Sequence, residues 1–181
     1  MRYLLLPLAL LLAGCDVEKP LPVLGEVPLF ELTDQRGKLF QRTALDGHVW
    51  VADFIFTTCP GPCPLMTRKM HAVQNATSAG VRLISFTIDP AHDTPEALNA
   101  YSRHFAADDK RWSFLTGSTV TLNQLAFDAF HLGTVGETLE HSTRFALIDG
   151  KGRIRAYYGF ADTDVVARVA RDAERLRKEP A

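Results

Sequence analysis

Two cysteines, Cys59 and Cys63, stand in the run Thr57-Thr58-Cys59-Pro60-Gly61-Pro62-Cys63-Pro64, with three residues between them. A thiolate is a nucleophile, a redox centre and a soft metal ligand. Two on one short loop can close as a disulfide, exchange with another disulfide, or share a metal ion. Pro60 and Pro62 stiffen the loop, and Gly61 gives it a place to bend. Each cysteine precedes a proline, a setting that disfavours the α conformation. Pro64 suits the first helical position, so Cys63 is the expected N-cap. A sulfur there would face free amides and the positive end of the helix dipole, and its pKa is expected to fall. A purely structural bridge gains little from so short a loop, because the entropy gain grows only with the logarithm of loop length. A redox dithiol and a soft-metal site are the sharper readings.

A third donor, His141, stands in Glu140-His141-Ser142-Thr143, just ahead of a later apolar run. Two thiolates and one imidazole make a three-ligand set. Thiolates select Cu(I), imidazole also suits Cu(II), and tetrahedral zinc would want a fourth ligand or an open, water-bearing position. Copper is therefore the metal expected. Asp53 breaks an apolar run six residues before Cys59. Strand alternation puts it on one face with Val51 and Ile55. A buried carboxylate is costly unless paired, so Asp53 reads as a fourth ligand, a support just behind the ligands, a proton acceptor or a satisfied structural acid. Asp89-Pro90 fits a turn and Asp93 a helix cap. His48, His71, His92 and His104 lie in polar or helical contexts expected to be solvated. His131 ends a helix and is at most a weak extra ligand. Met66 and Met70 are expected in the core.

Val49 to Phe56 and Val81 to Ile88 are short apolar runs rich in β-branched and aromatic residues, the pattern of buried central strands. Residues 29–32 and 38–40 flank a turn-like cluster and read as a hairpin. Met66, Met70, Val73 and Thr77 recur at helical spacing. Thr94-Pro95-Glu96 starts a second helix, and Ser118 caps a third. Trp112 to Leu115 is a short strand. Arg144 to Ile148 and Arg153 to Tyr158 are strands joined across Asp149-Gly150-Lys151-Gly152. Val165, Val166, Val169, Ala173 and Leu176 mark the last helix. The order predicts an α/β domain over residues 27–181: a mixed sheet with helices on both faces and an N-terminal β-hairpin. The cysteines then lie at the carboxyl end of a central strand, where such sheets place their chemistry.

Ahead of this domain, Arg2 precedes an unbroken apolar stretch from Leu4 to Leu12, which ends Leu12-Ala13-Gly14-Cys15. The stretch is too short to span a bilayer and has the length of a signal-peptide core. Its ending resembles a bacterial lipobox. Residues 1–14 are then a lipoprotein signal, Cys15 the lipidated residue, and 15–26, with Pro20 and Pro22, a tether. The domain would lie in the cell envelope, on the outer face of the cytoplasmic membrane, where disulfides persist. Twenty basic against twenty-one acidic side chains in 181 residues leave no basic excess for nucleic acid. Nothing points to an obligate dimer, so a monomer is expected.

The element order is that of a thioredoxin-like fold. Two marks of its oxidoreductases are missing. Their motif has two residues between the cysteines, and no proline occurs between Pro95 and Pro180 to supply their cis-proline. The peroxidase pattern Pro-x-x-x-Thr/Ser-x-x-Cys is also absent, since Phe56 and Ala52 occupy its places. The run Trp50 to Met66, then Phe86-Thr87-Ile88-Asp89-Pro90 with Asp93-Thr94-Pro95-Glu96, then His141-Ser142 before Leu147-Ile148-Asp149, together resemble the Sco (SenC-type) copper chaperone family. The resemblance covers residues 26–177. It implies one copper per chain, as Cu(I) or Cu(II), held by Cys59, Cys63 and His141, with Cys59 and Cys63 also a redox pair able to form a disulfide. It further implies delivery of copper to the binuclear copper site of cytochrome c oxidase, with that site's subunit as partner and an upstream periplasmic copper donor or thiol reductant behind it. The alternative is a thiol-disulfide oxidoreductase or redox sensor acting on the oxidase copper-site cysteines.

Overall fold

The computed structural model describes residues 19–131 and 143–179. Its centre is strand β4, Trp50–Ile55, every residue of which is buried. β4 pairs parallel with β5 (Arg82–Thr87), and β5 pairs parallel with β6 (Trp112–Thr116). On its other side β4 takes β7 (Arg144–Ile148) antiparallel, and β7 takes β8 (Arg153–Gly159) antiparallel. The turn between them needs a left-handed residue, and Gly152 supplies it at φ +80°. The expected hairpin forms as β2 (Glu31–Asp34) and β3 (Leu39–Gln41), and β2 joins β6. A short strand β1, Gly25–Glu26, pairs with β8. The eight strands stand in the order β1-β8-β7-β4-β5-β6-β2-β3.

Two crossovers, β4 to β5 and β5 to β6, step the same way across the sheet. Right-handed connection puts both of their helices on one face. These are α1 (Cys63–Ala76) and α2 (Pro95–His104), tied together where Tyr101 Oη meets Thr67 Oγ1 at 2.9 Å. Helix α4, Val165–Lys178, packs against α1 on that face. The return from β6 to β7 crosses the other face. It carries α3 (Thr119–Asn123), which runs into a π-helical turn, Gln124–Ala129. The Phe130 N–H closes that turn on the Leu125 carbonyl at 2.9 Å. Thr94 and Ser118 cap α2 and α3 as expected, accepting from the N–H groups of Ala97 and Thr121.

Alternation along β4 sorts the core into two layers. Trp50 and Phe54 meet Phe130 from the π turn, and Phe54 stacks on Phe86 at 5.0 Å. Val51, Asp53 and Ile55 face α1, which turns Met66, Met70 and Val73 inward, all fully buried. The N-terminal segment differs from a free tether. The Leu24 N–H donates to Ile154 at 2.8 Å, and the buried Arg155 guanidinium donates to the carbonyls of Leu21 and Pro22 at 2.6 and 3.1 Å. The prolines give this segment no periodicity, so its attachment, made through backbone carbonyls, leaves no pattern in the side chains.

Candidate metal centre

β4 delivers the chain to the cysteines, and α1 receives it. The loop turns at once, with the Cys59 N–H reaching back to the Phe56 carbonyl at 3.3 Å. Pro62, at φ −74° and ψ −24°, is the residue that caps α1, and Cys63 is its first helical residue. Cys63 is thus not the N-cap, and it does adopt the α conformation despite preceding Pro64. The first N–H groups of a helix have no intrahelical partner, so Pro64 in the first turn sacrifices no hydrogen bond.

Cys59 and Cys63 are not joined in a disulfide and both are thiols. Cys63 is 0% exposed and Cys59 7%. Their sulfurs are joined by a hydrogen bond, and the Phe56 backbone N–H also points at the Cys63 sulfur. Burial pushes the Cys63 thiol well above the ordinary thiol range, and the hydrogen bond to Cys59 pushes it further; the Phe56 N–H only partly opposes this. The lowered pKa expected from a helix N-terminus is therefore overturned. Desolvation and a shared proton outweigh the dipole when the sulfur sits inside the protein.

Asp53 lies behind the pair, wholly buried. Ser85, its partner across β4 and β5, donates to Oδ1 at 2.6 Å, and Trp112 Nε1 donates to Ser85 Oγ at 3.0 Å. Asp53 Oδ2 has no hydrogen-bond partner among the described residues. Burial raises the carboxyl to about 7, with Ser85 pulling the other way. Among the described residues no three His, Cys, Asp or Glu side chains stand close enough to hold a metal ion. As they stand here, Asp53 and the two cysteines form no such group, and the Asp53 charge acts on Cys63 from behind. His141 and Cys15 lie outside the described residues.

His131, at φ +51°, donates from Nδ1 to the Phe127 carbonyl at 3.1 Å. His92 is exposed and pairs with Asp89 at 2.9 Å, which raises its pKa. Asp89 takes the turn role expected of it, accepting from the N–H groups of His92 and Asp93. Asp93 does not cap α2. Its carboxylate, 0% exposed, accepts the Thr57 N–H at 3.2 Å from each oxygen and the Thr57 and Thr87 hydroxyls at 2.5 Å each. Sequence reasoning missed this grip. Its signal was a threonine just beyond β4 and another at the end of β5, two hydroxyls that an acid nearby could collect.

The family model described as SCO1/SenC matches residues 24–176. The chain is similar to the SCO1 protein homolog of Bacillus subtilis, 34% identical over 159 residues that cover 83% of this chain and 81% of that protein. It is also similar to a solved SCO1/SenC family lipoprotein from Bacillus anthracis. That match is 35% identical with a TM-score of 0.79 and covers 85% of this chain and 96% of that one. BsSco, a member of the Sco family of cytochrome c oxidase assembly proteins, matches at 30% identity and a TM-score of 0.79, over 88% and 98% of the two chains. Bradyrhizobium japonicum ScoI, solved with copper bound, shares the fold at 22% identity and a TM-score of 0.68, over 83% and 99%.

Proposed function

The chain belongs to the SCO1/SenC family, and on that premise we propose that it is a copper chaperone that delivers copper to the binuclear copper site of cytochrome c oxidase. The observation that carries the reading is the buried pair of thiols at the head of α1, sulfur hydrogen-bonded to sulfur. Two soft donors that close, shielded from water, suit Cu(I). Cys59 and Cys63 bind as thiolates, and His141 completes the site, with one copper per chain. Loading requires the reduced pair and releases its protons, which also removes the cost of holding a buried thiolate uncompensated. Copper bound to ScoI and the assembly role of BsSco support the reading. The lipoprotein from Bacillus anthracis supports an anchor at Cys15 and a place on the outer face of the cytoplasmic membrane. No helix among the described residues is long and apolar enough to cross a membrane.

The test is competition for Cu(I) against a chromophoric chelator, with the reduced Cys15→Ser chain in detergent. Wild-type ligands should hold Cu(I) far more tightly than the Cys59→Ser/Cys63→Ser variant, and His141→Ala should lose affinity. Equal affinity in the double-serine variant sinks the proposal. The closeness of the two sulfurs also favours a second reading, thiol-disulfide exchange with the oxidase copper-site cysteines. Under that reading His141→Ala leaves the function intact.

A further inference from the structure

The helix fixes Cys63, but Cys59 sits on the loop, and its place depends on where the loop is held. The upstream end of that loop is Thr57. The described structure shows Thr57 gripped by both its N–H and its hydroxyl, and the gripping group comes from a different crossover, the connection between β5 and α2. Asp93 is itself fixed. Its N–H donates to the Asp89 carbonyl at 2.9 Å, and the Thr87 hydroxyl that it binds also accepts the Asp89 N–H at 2.9 Å. The Ile88 N–H, donating to the Ile55 carbonyl at 2.9 Å, extends the pairing of the two strands to this point. A carboxylate with no access to water, collecting donors from the β4–α1 loop and the end of β5, is a rigid brace.

We propose that Asp93 is a positioning residue for the cysteine pair: by holding Thr57 it sets where Cys59 stands relative to Cys63. The consequence follows from effective concentration. Copper capture and disulfide closure each need the two sulfurs close together, and a loop held in place presents them to each other without first losing conformational freedom. Freeing Thr57 weakens both. The copper arm of this inference rests on the chaperone reading; the disulfide arm does not. In the latter, the Cys59 and Cys63 thiols give two protons and two electrons to glutathione disulfide. One protein S–S bond forms, one glutathione S–S bond breaks, and two glutathione thiols leave.

The experiment uses the full chain with Cys15→Ser, in detergent, as Asp93→Asn, Thr57→Val and Asp149→Asn. Asp149 is the control, a nearly buried carboxylate that accepts from Arg153, Arg155 and the Lys151 N–H in the β7–β8 turn. Three quantities are read: Cu(I) affinity by chelator competition, the dithiol–disulfide equilibrium against glutathione, and the urea midpoint. Asp93→Asn should lower both site constants roughly tenfold, equivalent to about 1.4 kcal/mol. Thr57→Val should move them the same way but less, since its N–H remains. Asp149→Asn should lower the urea midpoint and leave both site constants unchanged. The proposal is overturned if Asp93→Asn behaves like Asp149→Asn. Should Asp93→Asn not fold, Thr57→Val decides: both constants unchanged overturns the proposal. If wild type holds copper no better than Cys59→Ser/Cys63→Ser, the chaperone reading fails, and the glutathione equilibrium still judges Asp93.

Discussion

Ser85 donates to one oxygen of Asp53 at 2.6 Å, and the other oxygen of that carboxylate has no hydrogen-bond partner among the described residues. One hydrogen bond does not offset the desolvation of a fully buried charge. The folded protein therefore keeps the Asp53 proton to about pH 7, whereas the unfolded chain releases it near 3.8. Between those values folding takes up a proton, and stability falls as pH rises. From pH 5 to pH 8 this group should cost on the order of 3 kcal/mol. Asp53→Asn should flatten that part of the profile. Urea unfolding of both proteins at pH 5 and pH 8 checks it, and parallel profiles would refute it.

The two thiols should differ in reactivity. Cys59 is the more exposed, and Cys63 is wholly buried with its thiol held protonated. The thiolate is the reactive species. In the reduced protein iodoacetamide should label Cys59 before Cys63, as read by peptide mass spectrometry over time. Labelling of Cys63 first would contradict the arrangement.

Arg155 fastens the N-terminal segment to the domain. It is 5% exposed and reaches Asp149, Glu179, and the carbonyls of Leu21 and Pro22. Arg155→Met takes one charged partner from Asp149, which keeps Arg153 and the Lys151 N–H, and leaves the Leu21 and Pro22 carbonyls unpaired, at a cost of roughly 1–3 kcal/mol. The substitution should lower the unfolding free energy by roughly that much and open the segment around residues 19–24 to proteases. Limited proteolysis that leaves this segment intact in the variant would count against the role.

The aromatic layer should be the costliest place to hollow out. Phe86 is fully buried between Phe30, Phe54 and Phe130. Phe86→Ala should lose about 3–5 kcal/mol, through lost burial and the cavity left behind. The change lies on the face of the sheet away from Asp53, so thiol labelling should keep its order. Equilibrium unfolding and the labelling assay test the two halves of this statement.

Much of the architecture is legible in residue order because it rests on local pattern. The all-apolar run of β4 is a buried central strand, Thr94 and Ser118 are caps, and strand–helix alternation implies parallel pairing. The cysteine spacing, and the motifs that resemble Sco proteins, lie in contiguous residues and can be found without coordinates. What escapes is of another kind. The state of Cys63 depends on how much protein covers it, and a helix-end argument knows nothing of burial. Asp93 resembles a helix cap in its own segment; only the pairing of β4 with β5 brings it to Thr57, thirty-six residues away. The strand β1 depends on backbone groups, which every sequence supplies alike. The sequence by itself determined which groups could do chemistry and the elements that carry them. Tertiary structure decided which groups meet and how dry they are, because contact and desolvation arise between segments that the chain order keeps apart.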